Sequence, residues 1–469
     1  MTQASNYNEW REAAIERDRK TGMIGWRQAE SSRLYDYRSI RNRLTKLREK
    51  RAGGDTKGLL FALNEGIHGN MAGMGNALLY KRAAFGTKLL IDEYTTEIGE
   101  ALLHLASKDV TDITLAQKAD FFQRASHCFG RSALMLSGSG TLFYFHLGVV
   151  KSLWEQDLLP KIISGSSGGA LIGSLVGTHS REQLEKIFDP EYIRFEVEQN
   201  NGALPSFGLL RRQPISLKVV TELYSRLIPE ITFQEAQKLT GYKLNVSVAP
   251  VEKHQSSRLL NAIASPNVLV RDAVMASSAF PGFFPAVTLQ AKDEHGNIRP
   301  YLEDRKWIDG SISDDMPIKR ITRLYGVNHF IVSQTNPAAL PFIHREKSSV
   351  GLAVIKRAFK NTTREWLLAG NKLLRHPGAN QSAFNSAATM LGQVLSQTYT
   401  GDINILPPSR IHNPMALLAG RSSEEALALI NAGEQATWPH IERIRLQTHI
   451  SRILDQILTE LDSQMLYSQ

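Results

Sequence analysis

The sequence KIISGSSGGALIGSLV, residues 161–176, places the pattern Gly-x-Ser-x-Gly between an apolar run and a stretch of small residues. The run Lys161–Ser164 suits a buried strand, and Ala170–Val176 suits a helix packed closely on a sheet. The flanking glycines permit the sharp strand-to-helix turn that exposes a serine hydroxyl at a helix N-terminus. This stretch therefore predicts an α/β fold with Ser167 as a nucleophile.

A second glycine pair lies upstream, in Ser137-Gly138-Ser139-Gly140. Ala133–Leu136 predicts a strand that enters this loop, and Tyr144–Glu155 predicts a helix that leaves it. Small residues at such a turn expose backbone N–H groups, and the helix dipole adds positive potential. Beside the Ser167 turn, the loop would hold the oxyanion of a tetrahedral acyl intermediate. A nucleotide-phosphate cradle fits less well, because Phe143 replaces the third glycine of G-x-G-x-x-G and no Walker-type motif occurs.

A serine nucleophile needs a base, and Trp307-Ile308-Asp309-Gly310-Ser311 offers one. An apolar strand end delivers Asp309, and Gly310 turns the chain directly after it. A carboxylate at a strand end, in the same crevice as Ser167, accepts the serine proton directly. An isolated Asp-Gly pair is also typical of a simple turn. None of the thirteen histidines has a sequence context that marks a triad.

Together these motifs resemble those of the patatin-like lipid acyl hydrolases, which use a Ser–Asp dyad without histidine. Longer strings are similar to the branch of yeast and plant triacylglycerol lipases and their bacterial relatives: LSGSGTLFYFHLGVVKSLWE, ISGSSGGALIGSLVGTHS, WIDGSISDDMPIKR and YGVNHFIVSQTNP. The resemblance covers about residues 8–440. It implies Ser167 as nucleophile, Asp309 as base and the Gly138–Gly140 loop as oxyanion hole. Phe143 stands where the family usually has glycine. Because the two leading glycines remain, we expect this difference to affect the packing of the loop more than its chemistry.

The apolar spacing divides the chain into three parts. Residues 1–125 predict a helical N-terminal domain, and the resemblance implies the same extension before the catalytic domain. The expected helices there are Tyr7–Lys20, Arg33–Lys50, Thr56–His68 and Thr87–Ser107. Residues 126–335 alternate strands and helices, which predicts a mostly parallel sheet flanked by helices. Residues 336–469 predict a helical C-terminal region. The expected class is therefore α/β, patatin-like, with helical N-terminal and C-terminal extensions.

Composition indicates where the protein works. The chain has 469 residues, 55 Lys and Arg against 46 Asp and Glu, a net charge of +9 and one cysteine. A lone cysteine is typical of a reducing compartment, and we expect Cys128 to be buried. The polar start, Met1–Trp10, predicts no signal peptide, and no apolar stretch of about 18 residues predicts a spanning helix. We expect a cytoplasmic protein that associates peripherally with a membrane or lipid surface.

Two basic amphipathic segments are candidates for that contact. Arg38–Arg51 fits either a solvated face of a helix packed on the core or a face attracted to anionic lipid. Lys356–Arg375 combines its charges with Phe359 and Trp366, which fits an ordinary surface helix or an interfacial one. No nucleic-acid reading motif accompanies the charge, so nucleic acid is not an expected partner. The Phe-rich stretch Ala279–Pro285 fits a core loop or a wall of the acyl-chain site.

The residues leave three functions open. The resemblance implies a hydrolase of glycerolipid carboxylic esters, acting as a phospholipase A, lysophospholipase or triacylglycerol lipase, through an acyl-enzyme and without metal or organic cofactor. A catalytically silent lipid-binding scaffold is the first alternative. A Ser-His-Asp esterase is the second, and its histidine would be one of those that follow Asp309: His329, His412, His440 and His449.

Overall fold

The structure is a computed structural model that describes residues 4–200, 217–252, 255–279, 284–336, 400–408 and 421–467. Its strands, in chain order, are β1 (Arg131–Leu136), β2 (Ile162–Gly165), β3 (Lys243–Pro250), β4 (Arg258–Asn261), β5 (Gln290–Lys292), β6 (Ile298–Pro300), β7 (Trp307–Asp309), β8 (Val327–Ser333) and β9 (Ile403–Ile405). Its α-helices are α1 (Tyr7–Lys20), α2 (Met23–Gln28), α3 (Tyr37–Ala52), α4 (Thr56–Asn64), α5 (Leu89–Ala106), α6 (Leu115–Phe129), α7 (Phe143–Glu155), α8 (Gly168–Thr178), α9 (Arg181–Ile187), α10 (Pro190–Asn200), α11 (Leu217–Leu227), α12 (Phe233–Thr240), α13 (Val270–Ser277), α14 (Ser311–Asp314), α15 (Ile318–Tyr325), α16 (Ser423–Thr437) and α17 (Ile441–Tyr467).

One seven-stranded sheet forms the centre, in the order β4-β3-β2-β1-β8-β9, with β7 also paired to β3. All neighbours from β3 to β9 are parallel, whereas β4 and β7 run antiparallel to β3. Alternate side chains of β1 enter different cores, Leu134 and Leu136 on one face and Ala133 and Met135 on the other. Strands buried on both faces are continuously apolar, which explains the unbroken run in β1. The predicted α/β class is confirmed.

The N-terminal helices enclose a core of their own. Helices α3 to α6 pack around buried residues that include Ile40, Leu44, Leu59, Tyr94 and Phe122. Four predicted helices correspond to α1, α3, α4 and α5, with ends that differ by a few residues at most positions. Breaks at Gly53 and at the short 3₁₀ turn Met71–Gly73 separate them where the sequence places glycines.

The C-terminal residues contribute to one core beside the sheet and to the core of the N-terminal helices. The prediction of a helical region over residues 336–469 is wrong at β9, which pairs in parallel with β8. Its sequence, Ile-Asn-Ile, is too short for a strand period to be recognised. Helix α16 lies against α7, and α17 packs against α5 and α6. From α17, Ile450, Leu454, Ile457 and Leu461 complete the N-terminal core.

Cys128 corrects a second expectation. It is exposed near the end of α6, whereas we expected it to be buried. The buried face of this helix is already filled by Phe121, Phe122, Ala125 and Phe129. The helical period therefore turns Cys128 towards solvent.

Most of the basic residues in the segment Arg38–Arg51 form ion pairs within the protein. Ile40, Leu44 and Leu47 bury one side of α3. The other side forms ion pairs, Arg41 with Glu30, Arg48 with Glu93, Arg51 with Glu97 and Lys50 with Asp55. This arrangement favours the interpretation of a solvated face over a membrane-binding one.

The segment Lys356–Arg375 and most of Ala279–Pro285 lie outside the described residues. In the part of the chain that the structure describes, every helix is too short or too polar to cross a lipid bilayer.

The contact between α7 and α16 yields a stability prediction. A Cβ on Gly148 would lie 1.9 Å from the Ile430 carbonyl oxygen, so the two helix backbones touch. Gly148→Ala should therefore destabilise the protein by about 1–3 kcal/mol through overpacking. Urea unfolding followed by circular dichroism measures this change.

Gly25 in α2 supplies the matched control, because a Cβ there meets no atom within 4 Å. Gly25→Ala should be neutral or stabilising by up to about 1 kcal/mol, as expected for a helix interior. Equal shifts in the unfolding midpoints of the two variants would contradict the close helix contact.

Candidate active site

The Gly-x-Ser-x-Gly sequence forms a strained turn between β2 and α8. Ser167 precedes the first residue of α8 and has φ 51° and ψ −124°, a conformation that non-glycine residues rarely adopt. Its N–H donates to the Ser277 hydroxyl at 2.9 Å, and that hydroxyl donates to the Ser247 carbonyl at 2.7 Å. The turn is thus held from α13 and β3, with the half-buried Ser167 side chain at its apex.

Three glycines around Ser167 allow backbones to meet. A Cβ on Gly165 would lie 2.4 Å from the Gly169 carbonyl oxygen, and one on Gly169 would lie 2.4 Å from that of Leu136. A Cβ on Gly168 would lie 2.2 Å from the Ser139 hydroxyl. The motif therefore requires glycine at these positions to bring the turn against the loop that follows β1.

Asp309 lies at the end of β7, where that strand pairs with Val248 of β3. Its carboxylate is buried and accepts a hydrogen bond from the Ser311 N–H at 2.8 Å, and the Ser167 side chain lies close enough to lower its pKa. Burial raises the pKa of Asp309 to about 7, and Ser311 and Ser167 oppose this rise. The structure thus brings the two predicted catalytic side chains together, with a carboxylate in the position that a base needs.

The Ser137–Gly140 loop lies beside the Ser167 turn because β1 and β2 are parallel and end in register, Leu136 opposite Gly165. The Gly138 N–H donates to Asp315 at 2.7 Å and is not directed at a substrate oxygen. Among the described residues, the N–H groups of Ser139 and Gly140 donate to no other group. Of the three residues predicted for the oxyanion hole, Ser139 and Gly140 therefore retain the capacity to bind an oxyanion.

Asp315 is a site residue that sequence reasoning missed. It follows α14 and is buried, and one carboxylate oxygen accepts the Gly138 N–H and the Ser166 hydroxyl. Its other oxygen accepts the Asn336 amide at 2.9 Å. Burial raises the pKa of Asp315, and these hydrogen bonds counter the rise. The signal available in the sequence is an acid six residues after the candidate base, but the pattern alone does not name its partners.

His146 on α7 supports the same loop from beneath. Its Nε2 lies 3.0 Å from the Ser137 carbonyl oxygen and 3.0 Å from the Thr335 hydroxyl, and its Nδ1 lies 2.7 Å from the Ser333 hydroxyl. Burial lowers the pKa of His146 to about 4, so the ring is neutral at physiological pH. It can therefore fix the loop but has no role as a cation.

The histidines after Asp309 make contacts elsewhere. His329 lies between Ser132, at the start of β1, and Gln447 of α17. His449 faces Gly99 on α5, and His440 lines a cavity beside α1. His412 lies outside the described residues. These positions favour a base supplied by Asp309 over a Ser-His-Asp arrangement.

Two protein-family models match the chain. The model described as "Domain of unknown function (DUF3336)" matches residues 1–127. The model described as "Patatin-like phospholipase" matches residues 134–321, which contain the Ser167 turn, the Ser137–Gly140 loop and Asp309.

Curated relatives match over nearly the whole chain. Triacylglycerol lipase 4 of Saccharomyces cerevisiae is 34% identical, with 99% of this chain and 53% of the relative covered. Triacylglycerol lipase SDP1L of Arabidopsis thaliana is 31% identical, with 98% and 58% covered. Triacylglycerol lipase ptl3 of Schizosaccharomyces pombe is 33% identical, with 98% and 96% covered. The chain thus spans little more than half the length of the first two relatives and nearly all of the third.

The contacts of Asp315 generate a prediction about the turn and the loop. Asp315→Ala leaves the Gly138 N–H and the Ser166 hydroxyl without their acceptor, so it should lower kcat/KM for a short soluble ester by about 100-fold or more, as loss of an oxyanion donor does. Asp315→Asn should lower kcat/KM less. Its amide oxygen can still accept the Gly138 N–H and the Ser166 hydroxyl, and only its amide nitrogen faces the amide nitrogen of Asn336. Exchanging the pair, Asp315→Asn with Asn336→Asp, should recover activity, because the donor and acceptor then simply trade places.

Asp314→Asn is the matched control, since Asp314 lies one residue away and faces Arg320 instead. It should retain full activity. A paired exchange that recovers nothing, or an Asp314→Asn loss as large as that of Asp315→Asn, would contradict the positioning role.

Proposed function

Because the chain belongs to the patatin-like phospholipase family, we propose that it is a lipid acyl hydrolase that cleaves carboxylic esters of glycerolipids. The supporting observation is that the Ser167 side chain, at the apex of a strained turn, lies close enough to the buried Asp309 carboxylate to lower its pKa. The names of the three relatives make triacylglycerol the first substrate to test. Phospholipids and lysophospholipids carry the same ester chemistry and belong in the same panel.

The proposed reaction proceeds in two halves. Ser167 Oγ attacks the acyl carbonyl carbon while Asp309 takes the hydroxyl proton, and the Ser139 and Gly140 N–H groups bind the oxyanion. The intermediate then breaks its bond to the glycerol oxygen, which leaves with the proton from Asp309. Water, deprotonated by Asp309, attacks the acyl-Ser167 ester. A fatty acid departs, and the serine hydroxyl is restored.

We place the reaction at a lipid surface in the cytoplasm, with the protein attached peripherally. The apolar substrate supports this location, since a glycerolipid with long acyl chains resides in a membrane or droplet. Because basic residues of α3 form ion pairs within the protein, that helix is a poor candidate for the surface that contacts lipid. The remaining candidate is the segment Lys356–Arg375, which lies outside the described residues.

The dyad is tested by two substitutions. Ser167→Ala and Asp309→Asn should each lower ester hydrolysis by about 10³-fold or more, because the two groups act as a unit. A fluorophosphonate probe should label the wild type and fail to label Ser167→Ala. Ser164→Ala is the control, because the buried Ser164 hydroxyl has no hydrogen-bond partner in the described part of the protein and its loss should leave activity intact.

Two outcomes would decide for the alternatives. A wild type that the probe fails to label and that turns over no lipid of the panel would indicate a silent scaffold. Asp309→Asn retaining more than about a tenth of the activity, together with a histidine variant that loses it, would indicate a Ser-His-Asp esterase.

The raised pKa of Asp309 predicts the pH dependence of the reaction. The base must be ionised to accept a proton, and burial holds its pKa at about 7. Hydrolysis should therefore fall as pH decreases through about 7 and level off above it. We would measure kcat/KM on a soluble ester from about pH 5 to about pH 9. A profile that stays flat down to the usual pKa of an exposed aspartate would contradict the assignment of the base.

A further inference from the structure

A cavity lies far along the chain from the Ser167 motifs, where N-terminal and C-terminal elements meet. It has a volume of about 490 Å³ and is bounded by α1, residues 80–84 and residues 439–443. Its wall includes Trp10, Asp18, Tyr80, Lys81, Arg82 and Arg443. Cavities of about 300–1,000 Å³ are the usual size for small ligands. We call this cavity the basic cleft.

The wall of the basic cleft carries more cations than carboxylates. Lys81, Arg82 and Arg443 form no ion pair with a carboxylate in the described part of the chain. The carboxylate of Asp18 is buried and accepts the N–H groups of Ala84 and Phe85, at 2.8 and 2.9 Å. It therefore orders the wall of the cleft and forms no ion pair with Lys81, Arg82 or Arg443 among the described residues.

For Arg443 the lack of an ion pair is energetically unfavourable, because its guanidinium is partly buried. Its guanidinium packs over the Tyr80 ring, 5.6 Å from the centroid, and donates to the Gln447 amide oxygen at 3.1 Å. Partial burial lowers the pKa of Arg443. The Asp402 carboxylate acts on Arg443 only from beyond ion-pair distance, so this partly buried cation lacks the direct partner that such charges ordinarily have. On α3, in the same N-terminal region, the arginines Arg41, Arg48 and Arg51 all contact glutamates.

We propose that the basic cleft binds a phosphate-bearing small anion. A guanidinium fork and an ammonium group match the oxygens of a phosphate monoester, and Arg and Lys together offset its two charges. Trp10 and Tyr80 supply apolar surface for the organic part of the ligand. A soluble phosphate ester and the headgroup of an anionic phospholipid share this chemistry. The wall of the basic cleft contains none of the residues proposed for the Ser167 reaction.

Glycerol 3-phosphate tests the site as a soluble probe, in the full chain carrying Ser167→Ala so that no turnover intervenes. Isothermal titration should show saturable binding, and Lys81→Gln with Arg82→Gln should weaken it by about tenfold or more, the effect of losing one charge-assisted hydrogen bond. Both side chains are exposed, so the fold should tolerate the change. Arg19→Gln with Lys20→Gln is the control, since it removes the same charge from the neighbouring exposed surface of α1.

Vesicles distinguish the two sources of phosphate. Sedimentation with phosphatidylcholine vesicles that contain phosphatidic acid should depend on Lys81 and Arg82 and be displaced by glycerol 3-phosphate if the headgroup is the ligand. Binding of glycerol 3-phosphate without such vesicle binding would assign the cleft to a soluble ester. The proposal is overturned if the titration shows no saturation, or if the control pair weakens binding as much as the cleft pair does. Neither result bears on ester hydrolysis by Ser167.

Discussion

A single buried carboxylate, that of Asp315, connects three turns from distant parts of the chain. It accepts hydrogen bonds from Gly138 after β1, from Ser166 after β2 and from Asn336 after β8. These turns all leave the same edge of the parallel sheet, where strand ends alone would leave polar groups without partners. Because one acidic group satisfies all three, the positions of the Ser167 turn and of the Ser137–Gly140 loop are fixed relative to each other.

The sheet around this edge could be predicted because its strands contain apolar runs, Ala133–Leu136 in β1 and Phe330–Val332 in β8. Ser167 and Asp309 could be found because their motifs require glycine at fixed offsets for local steric reasons. Asp315, His146 and Ser277 could not, since their partners are backbone groups and hydroxyls on segments that meet only in the folded chain. The same limit hid the ion pairs of α3, which need Glu93 and Glu97 from another helix.

The N-terminal region and the sheet are joined by one long helix. Ile441 and Ile444 near the start of α17 pack into the core that includes β1 and α7, while Ile450, Leu454, Ile457 and Leu461 enter the core of α3 to α6. The two apolar cores therefore share an element, although the family models that match the chain divide it at about residue 130. Removing the N-terminal helices would expose one face of α17 to water, so the two regions are expected to depend on each other for stability.

The backbone of Ser167 has a consequence for how this protein can change over time. Its positive φ costs a side chain about 1–3 kcal/mol, a cost that glycine would avoid. If Ser167 is the nucleophile, as we propose, thermal stability and chemical competence oppose each other at this residue, because the more stable glycine cannot react. A lineage released from the need for the proposed reaction would gain stability by losing the hydroxyl. The proposed reaction thus accounts for a serine at residue 167, where the backbone conformation alone favours glycine.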